Sequence, residues 1–390
     1  MKTITRVVWI LSIVSLFTDI ASEMLYPIMP IYLKSIGFSI FIIGLLEGVA
    51  EATAGLSKGY FGKLSDATNR RVPFVQAGYI LSALSKPLTV VFSFPLWIFF
   101  VRTIDRFGKG IRTGARDALL SDEATPETKG KVFGFHRGMD TLGAAIGPTL
   151  ALIYLYFYPN NYKMLFIIAV IPGLAAIITT LFLKEKKKEK PVTLTKISFF
   201  SFLGYWKESP LLYKKVLIGL LFFTLFNSSD VFLLLKIKDT GLSDTSVIAV
   251  YIFYNLVYAL FAFPVGILAD KIGLKNTFLL GLILFTIVYI GFSANNSLYI
   301  FAFLFFMYGL YAAATEGIAK AWISNITAKE DTATAIGTYS GFQSICTMIA
   351  SSMAGFIWYQ FGAKYTFIVT AVATIVVLFY FLVFVKVKVK

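Results

Sequence analysis

The sequence has little of what disulfide scaffolds, metal centres and soluble surfaces require. Cys346 is its single cysteine and His136 its single histidine. One cysteine cannot form an intramolecular disulfide, and one histidine cannot build a multi-histidine metal site, so both classes are excluded. Charged residues make up 15% of the chain, well below the roughly 25% of soluble domains. The composition therefore argues against a soluble enzyme.

Apolar and aromatic residues dominate instead, at 57% of the 390 residues, with 39 Phe and 21 Tyr. Apolar runs of about 18 residues or more recur along the chain, and a helix of that length crosses a hydrocarbon core about 30 Å thick. The formal charge of +15 lies mainly in short segments between these runs. That placement indicates membrane topology and attraction to anionic headgroups, not nucleic-acid binding.

The apolar runs predict twelve membrane spans. The first six cover approximately residues 7–33, 40–61, 72–94, 96–118, 132–157 and 163–183. The second six cover approximately residues 215–236, 246–268, 275–293, 297–322, 333–358 and 364–385. If both termini are cytoplasmic, only five basic residues fall in the loops on the opposite side: Lys34, Lys163, Lys236, Lys238 and Lys364. This asymmetry predicts an inner-membrane protein with both termini in the cytoplasm.

One strong change of composition divides the chain. The run KEKKKEK covers Lys184 to Lys190, between the sixth and seventh spans. We therefore expect an amino-terminal bundle at 1–183, a cytoplasmic linker at 184–213 and a carboxy-terminal bundle at 214–390. The linker segment SFFSFLGYWKE fits either a short interfacial helix or a disordered tether.

The two halves repeat at a nearly constant offset. Gly62 and Asp66 in GKLSD recur 204 residues later as Gly266 and Asp270 in GILAD. Further pairs at offsets of 203 or 204 are Gly37 with Gly241, Arg116 with Lys320, Gly134 with Gly337, and Gly138 with Gly341. Six spans separate equivalent positions, so the halves have the same orientation and form parallel repeats.

These residues resemble the major facilitator superfamily over the entire chain. The loop GKLSDATNRR, from Gly62 to Arg71, is similar to the family's loop signature, and GILADKIGLK from Gly266 repeats it. The resemblance implies an all-α membrane protein with two six-helix bundles. The first copy has Asn69 where the second has Gly273, so we expect a different turn there.

In the resembled family this loop closes the cytoplasmic ends of the two halves. The resemblance thus implies gating roles for Asp66, Arg70 and Arg71, although the two arginines fit a purely topological role equally well. Gly62 allows close helix approach, and Asp66 at a helix end can accept hydrogen bonds from exposed N–H groups or pair with a nearby Arg. The further residues that we assign to the gate are Arg112, Arg116, Gly143, Gly147, Pro148, Gly266, Asp270, Glu316 and Lys320.

The fifth span carries a second signature. Gly143, Gly147 and Pro148 form GxxxGP, which is similar to the motif of antiporter members of the family and implies export. Small residues four apart make a flat face for helix packing, and proline permits a kink. Ala151 and Leu152 stand where the motif usually has glycine, and ordinary helix packing remains an alternative interpretation.

Ionisable residues within spans are the most informative class, because a charge at mid-bilayer costs at least about 2.5–3.5 kcal/mol. Span one carries Asp19 and Glu23, and span two carries Glu47 and Glu51, each pair four residues apart and on one helix face. We predict that these four acids carry the coupling protons. The alternative is a closed salt-bridge network with Lys86, Arg102 and Arg106.

Candidate substrate-binding residues lie in both halves. The charged ones in spans three and four are Lys86, Arg102, Asp105 and Arg106, with an Asp105–Arg102 pair geometrically possible. In span seven the polar run from Asn227 to Asp230 predicts a helix break or cavity face. We expect tyrosines at helical spacing, including Tyr251, Tyr254 and Tyr308, to line the opposite wall, and Glu316 to pair with Lys320.

These patterns predict a monomeric, proton-coupled transporter that exports a small organic solute by alternating access, without a cofactor. Three alternatives stay open. One is an organic-anion transporter that uses the basic residues of spans three and four. Another is a divalent metal exporter with oxygen ligands, since His and Cys are scarce. The last is a membrane receptor that does not transport.

Overall fold

A computed structural model describes residues 4–26, 28–38, 40–185, 198–241, 244–294 and 297–386. The described chain is helical. Its first half contains α1 (Arg6–Glu23), α2 (Ile28–Ser35), α3 (Ile40–Thr68), α4 (Val72–Leu88), α5 (Pro95–Asp122), α6 (Lys129–Phe157), α7 (Tyr162–Ile168) and α8 (Val170–Thr180). The second contains α9 (Tyr205–Glu208), α10 (Leu211–Thr224), α11 (Val231–Lys238), α12 (Asp244–Ile272), α13 (Leu274–Ala294), α14 (Leu298–Asn325), α15 (Thr332–Phe361) and α16 (Ala363–Phe384).

The helices correspond to the twelve predicted spans, which confirms the all-α membrane class. Three spans consist of two helices each: the first of α1 and α2, the sixth of α7 and α8, and the seventh of α10 and α11. The break in the seventh span contains the polar run Asn227–Asp230, as its composition predicts. The linker segment forms a 3₁₀ turn at Ser201–Gly204 followed by the short helix α9.

Six of the described helical segments are long and apolar enough to cross a membrane. They are Lys129–Phe157, Tyr162–Thr180, Ala249–Ile272, Leu274–Ala294, Tyr299–Asn325 and Ala363–Phe384. Most of them lie in the second half of the chain. Helix α5 shows why other helices are less apolar, since Arg102, Asp105 and Arg106 interrupt its apolar sequence.

The chain forms two compact units. The first comprises residues 1–124, 139–208 and 328–344, and the second comprises residues 125–138, 209–327 and 345–390. Each unit therefore includes the start of one long helix, α15 or α6, that continues into the other. The predicted division at residues 184–213 follows the repeat in the sequence and stays a prediction.

The first unit packs its helices through small residues. Helices α4 and α5 meet at Gly78 and Gly108, where a Cβ at either position would lie 2.6 to 2.7 Å from the other's carbonyl oxygen. Only glycine permits this backbone separation. Gly110 likewise faces Ser57 of α3, with 2.3 Å between a Cβ there and the serine Cβ. The helix that carries most of the charges is thus held by backbone contact.

The second unit packs through aromatic rings. Phe285 and Tyr289 of α13 stack with centroids 4.2 Å apart, and Phe292 stacks on Phe301 of α14 at 4.9 Å. Phe278 and Phe381 link α13 to α16 at 5.4 Å. Offset and edge-to-face ring pairs add stabilisation beyond their buried area. The 39 Phe of the sequence therefore supply core contacts as well as lipid-facing surface.

Helices related by the repeat are followed by residues with positive φ. Gly37 and Gly241, related by the repeat, both have positive φ, at 96° and 89°. Helices α3 and α12 end at Thr68 and Ile272, and the next residues, Asn69 and Gly273, have φ of 54° and 94°. The turns themselves differ, as expected: residues 69–71 separate α3 from α4, whereas Gly273 alone separates α12 from α13. Asparagine is among the few residues that tolerate the left-handed conformation.

We expect Asn69→Gly to leave stability unchanged and Asn69→Ala to lower it by about 1 kcal/mol, because a Cβ without a local hydrogen bond is strained at positive φ. The measurement is thermal unfolding of the purified protein in detergent. Asn161→Ala, at an exposed position with φ of −86° and no side-chain cap hydrogen bond, is the matched control and should not destabilise. Equal midpoints for the Gly and Ala variants would contradict the assignment.

Candidate functional site

Helix α6 lies against α1 at the glycines of the GxxxGP signature. A Cβ on Gly143 would lie 2.5 Å from the carbonyl oxygen of Leu16, and one on Gly147 would lie 2.7 Å from that of Ile20. The two backbones therefore touch beside Asp19 and Glu23. Helix α6 continues through Pro148 to Phe157. The signature provides the flat packing face that its spacing predicts.

This packing brings two acids together. The carboxyl groups of Asp19 on α1 and Asp140 on α6 are close enough to interact electrostatically. Ser15, one turn before Asp19, donates its hydroxyl to Asp140 Oδ1. Glu23 and Lys109 are the other charged groups that act on Asp19. We call Asp19 and Asp140 the carboxyl pair.

A small cavity within the first unit lies beside Glu23, one helical turn after Asp19. Glu23 lines it together with the predicted binding residues Lys86, Arg102, Asp105 and Arg106. Its volume is about 40 Å³, which suits a few water molecules, since one water needs about 10–15 Å³ by the same measure. The cavity therefore joins one predicted coupling acid to the predicted basic cluster.

Asp105 lies at the centre of this cluster. Its Oδ1 is 3.8 Å from Lys86 Nζ, and its Oδ2 is 3.8 Å from Arg102 Nη1. The predicted Asp105–Arg102 pair is therefore present. Lys86 Nζ also donates to the carbonyl oxygen of Ser82 at 2.9 Å. Three basic and two acidic side chains line the cavity. One further negative charge would therefore balance the formal charges of the cluster.

Arg112 and Arg116, assigned to the gate, lie further along α5. Arg112 Nη1 donates to Ser82 Oγ at 2.6 Å, and its guanidinium carbon is 4.5 Å from the centre of the Tyr79 ring. Arg116 Nε donates to Asp117 Oδ1 at 2.9 Å. Both side chains are thus held within the first unit, and their gating role stays a prediction.

Asp66 caps the start of α15. Its Oδ2 accepts from the backbone N–H of Thr334 at 2.6 Å and from the hydroxyl of Thr334 at 2.8 Å. A Cβ on Gly62, one turn earlier, would lie 2.4 Å from the carbonyl oxygen of Ala333. We call this region the α3–α15 crossing. Charge at a helix N-terminus is stabilised by the exposed N–H groups and the helix dipole.

Arg71 holds Asp66 from the other side. Its Nη1 is 3.2 Å from Asp66 Oδ1, its Nε is 3.1 Å from Asp122 Oδ2, and Nη2 donates to the carbonyl oxygen of Lys329 at 3.3 Å. Arg71 is 4% exposed, whereas Arg70 is exposed. Of the two adjacent arginines, Arg71 is therefore the one that contacts the crossing.

Asp270 makes the equivalent contact in the second unit. Its Oδ1 accepts from the N–H of Gly130 at 2.7 Å, and its Oδ2 accepts from the N–H of Lys131 at 2.9 Å, so it caps α6. A Cβ on Gly266 would lie 2.3 Å from the carbonyl oxygen of Gly130. This α12–α6 crossing repeats the α3–α15 crossing, as the sequence offsets predict.

Burial dominates the electrostatics of both caps. It raises the pKa of Asp66 to about 6, although Arg71 and the Thr334 hydrogen bonds act in the opposite direction. Burial also raises the pKa of Asp270, against the hydrogen bonds from Lys131 and Gly130. The ionised form of Asp66 therefore carries a net cost in this arrangement at neutral pH.

Asp230 lies at the break between α10 and α11. Its Oδ2 accepts from the Tyr254 hydroxyl at 2.8 Å, and its Oδ1 accepts from the Tyr308 hydroxyl at 2.7 Å. Asn227 Nδ2 donates to the Tyr311 hydroxyl oxygen at 2.9 Å. Tyr251 packs on Tyr254, with ring centroids 5.7 Å apart. The predicted polar and aromatic residues thus form one cluster.

Some contacts were not predicted. Arg137 Nη2 is 2.6 Å from Glu316 Oε2, and its Nε donates to the Tyr258 hydroxyl at 2.7 Å. The predicted Glu316–Lys320 pair stays a prediction. Asp140 is the main omission from the predicted coupling residues, because nothing in the local sequence shows that α6 meets α1 at that level. The side chains of Glu47 and Glu51 lie outside the described residues.

The fold and these contacts define a polytopic helical transporter with two equivalent helix crossings. The sequence profile of the Major Facilitator Superfamily matches residues 11–237 and 219–390. The chain belongs to this superfamily. The resemblance seen in the two loop motifs is therefore confirmed.

Relatives and solved structures agree with this assignment. An uncharacterized MFS-type transporter, MJ1317 of Methanocaldococcus jannaschii, is 33% identical, over 96% of this chain and 94% of its own. A multi-drug resistance efflux pump PmrA homolog of Lactococcus lactis is 23% identical, over 88% and 87%. The human organic anion transporter MFSD10 superimposes with a TM-score of 0.79 at 14% identity, over 96% of this chain and 98% of its own. The Escherichia coli fucose:proton symporter FucP gives 0.74 at 11% identity, over 96% and 97%.

Asp66→Asn tests the electrostatics of the α3–α15 crossing. Because the pKa rises from 3.8 to about 6, the contribution of Asp66 is most favourable at acid pH and declines as pH rises through 6. This shift of the pKa corresponds to a loss of about 3 kcal/mol in the free energy of unfolding between acid and neutral pH. We expect the thermal midpoint of the wild type, relative to Asp66→Asn, to rise between pH 7 and pH 5. A relative midpoint that falls over this range would contradict the sign.

Proposed function

We propose that the chain is a proton-coupled secondary transporter that exports a small organic solute across the inner membrane. The observation that carries the proposal is the close approach of α1 and α6 at Gly143, which places Asp19 beside Asp140, with Ser15 of α1 donating to Asp140. It works by alternating access, with both termini in the cytoplasm. Protons move inward as the solute leaves, and no cofactor takes part.

The chemistry of the carboxyl pair supports proton binding. Two ionised carboxylates have only acceptor atoms, so a hydrogen bond between them requires a proton on one of them. Like charges in contact also oppose ionisation of both members. Ser15 donates to Asp140, which stabilises a charge on that oxygen and leaves Asp19 as the member that holds the proton. The pair therefore binds one proton whose release depends on access to water.

The position of the pair suits coupling. Glu23 lies one helical turn from Asp19 and lines the cavity, so water in the cavity can reach Glu23. The contact depends on the backbone approach of α1 and α6 at Gly143 and Gly147. A change in that approach would separate the acids, favour ionisation of both and release the proton. This is the relation between movement and protonation that a coupled transporter needs.

Two features support export. The GxxxGP face of α6 matches the signature of antiporter members, and a relative over most of the chain is named an efflux pump. The two helix crossings supply the gate. Each combines an aspartate cap with close glycine packing, and at the α3–α15 crossing Arg71 adds contacts to Asp66 and to the carbonyl oxygen of Lys329.

Organic-anion transport is the second candidate. The cavity presents Lys86, Arg102 and Arg106 against Asp105 and Glu23, so it can accept one anionic group. The human structural neighbour is described as an organic anion transporter. For metal export the support is weaker, because the described part of the chain holds no group of three His, Cys, Asp or Glu side chains placed to share an ion.

The test is flux in proteoliposomes with an imposed pH gradient, with ethidium and radiolabelled citrate as cationic and anionic probes. We expect Asp19→Asn and Asp140→Asn each to reduce gradient-driven flux at least about tenfold, equal to about 1.4 kcal/mol. Downhill exchange of the same probe should persist. Asp239→Asn, at an exposed position, is the matched control and should transport normally.

Infrared spectroscopy gives a readout that needs no substrate. The wild type at neutral pH should show the C=O stretch of a protonated carboxylic acid, and both variants should lose intensity in that band. Unchanged gradient stimulation in Asp19→Asn and Asp140→Asn, with an unchanged band, would reject coupling at the pair.

A further inference from the structure

The cluster around Asp230 differs in chemistry from the basic cavity. Asp230, Asn227, Tyr254, Tyr308 and Tyr311 belong to the second unit. Asp230 is partly buried at the end of the helix break. Its described partners are two tyrosine hydroxyls, and the ion pairs of the described residues do not include it. The carboxylate is therefore held in place without a neutralising base.

The tyrosine rings form a continuous wall beside this carboxylate. Ring centroids are 5.7 Å apart for Tyr251 and Tyr254, 5.3 Å for Tyr254 and Tyr308, and 5.2 Å for Tyr308 and Tyr311. Two of the hydroxyls donate to Asp230, so their oxygens keep lone pairs that can accept from other partners. Three of the four rings are buried against one another and against Phe285 and Phe305. Ring faces attract cations, and a desolvated contact is worth up to about 2 kcal/mol.

The break adds further acceptors. The amide oxygen of Asn227 is buried and accepts no hydrogen bond within the described residues. Helix α10 ends at Thr224, and the carbonyl groups at a helix C-terminus carry partial negative charge. Arg137, which contacts Tyr258 in the same unit, is paired with Glu316 at 2.6 Å. The cluster thus has an excess of negative groups.

We propose that the tyrosine-lined carboxylate of Asp230 binds the positively charged group of an organic cation, which makes the exported solute cationic. This inference rests on the proposed transport function and names its substrate class. An anion is repelled by Asp230, and a neutral solute gains nothing from a buried charge. A bare metal ion prefers a full shell of oxygens, whereas the wall here is made of rings.

The experiment compares two ions of nearly equal shape and opposite charge, tetraphenylphosphonium and tetraphenylborate, binding to purified protein in detergent. We expect tetraphenylphosphonium to bind at least about tenfold more tightly than tetraphenylborate, and Asp230→Asn to remove at least about tenfold of its affinity. Asp239→Asn, which changes an exposed aspartate just after α11, should bind like the wild type. Excess sodium chloride tests whether an inorganic cation occupies the site. It should not displace tetraphenylphosphonium beyond the effect of ionic strength on binding.

A second pair of variants keeps the test valid if Asp230→Asn fails to fold. Tyr308→Phe retains the ring and removes one hydroxyl, so affinity should stay within about threefold, while Tyr308→Leu removes the ring and should lower it about tenfold. An equal loss of affinity in both Tyr308 variants would mean that Tyr308 has only a structural role, and it would overturn the proposal. Tighter binding of tetraphenylborate, or binding of neither ion, would also overturn it.

The two proposals fail separately. The binding assay needs no proton gradient, so its failure beside normal gradient-driven flux rejects the cation site alone. Loss of tetraphenylphosphonium binding in Asp230→Asn, together with coupling unchanged in Asp19→Asn, would reject the carboxyl pair and retain the cation site.

Discussion

The need to satisfy buried carboxyl groups in a medium without water governs this structure. An isolated ionised carboxylate is too costly there, so each acid has a partner that sets its chemistry. The chain uses four kinds of partner. They are basic side chains for Asp105, backbone N–H groups for Asp66 and Asp270, tyrosine hydroxyls for Asp230, and a second carboxyl group for Asp19 with Asp140. Under the proposed mechanism the carboxyl partner requires a proton, whereas the tyrosine hydroxyls donate to both carboxylate oxygens of Asp230.

The repeat explains why two of these solutions occur as equivalents. Gly62 and Gly266 each bring a helix backbone within reach, and Asp66 and Asp270, one turn later, each cap the helix that arrives. The two crossings then differ in their support. Asp66 also pairs with Arg71, whereas Asp270 is held by backbone groups of α6 and has Lys131 nearby. The two crossings therefore share their backbone geometry but differ in the charges around the capping aspartate. If both act as gates, this difference would give them different stabilities.

Helices, breaks and crossings could be predicted from the sequence, because apolar length, Gly spacing and a constant offset are local or periodic signals. The partner of Asp19 could not be predicted, since it depends on the level at which α6 meets α1. Acceptance of backbone N–H groups by Asp66 was predicted from its place at a helix end, but which helices Asp66 and Asp270 cap could not be predicted, because every residue has a backbone N–H group. The different turn at Asn69 was predicted from the missing glycine, but its positive φ was not, because only glycine was considered for that conformation. Arg137 was missed as the partner of Glu316 because a closer basic residue, Lys320, lies on the same helix.

Proton and solute have separate positions under the proposed mechanism. The carboxyl pair lies in the first unit and Asp230 in the second, so the two ions do not compete for one carboxylate, and coupling has to pass through a shared element. Helix α6 is such an element, since its start is capped by Asp270 and Asp140 follows about three turns later on the same continuous helix. Loss of the shared proton would weaken the hold of α1 on α6, and the same helix carries that change to the α12–α6 crossing. A helix that is rigid between the two contacts can couple them without a chain of specific side-chain contacts.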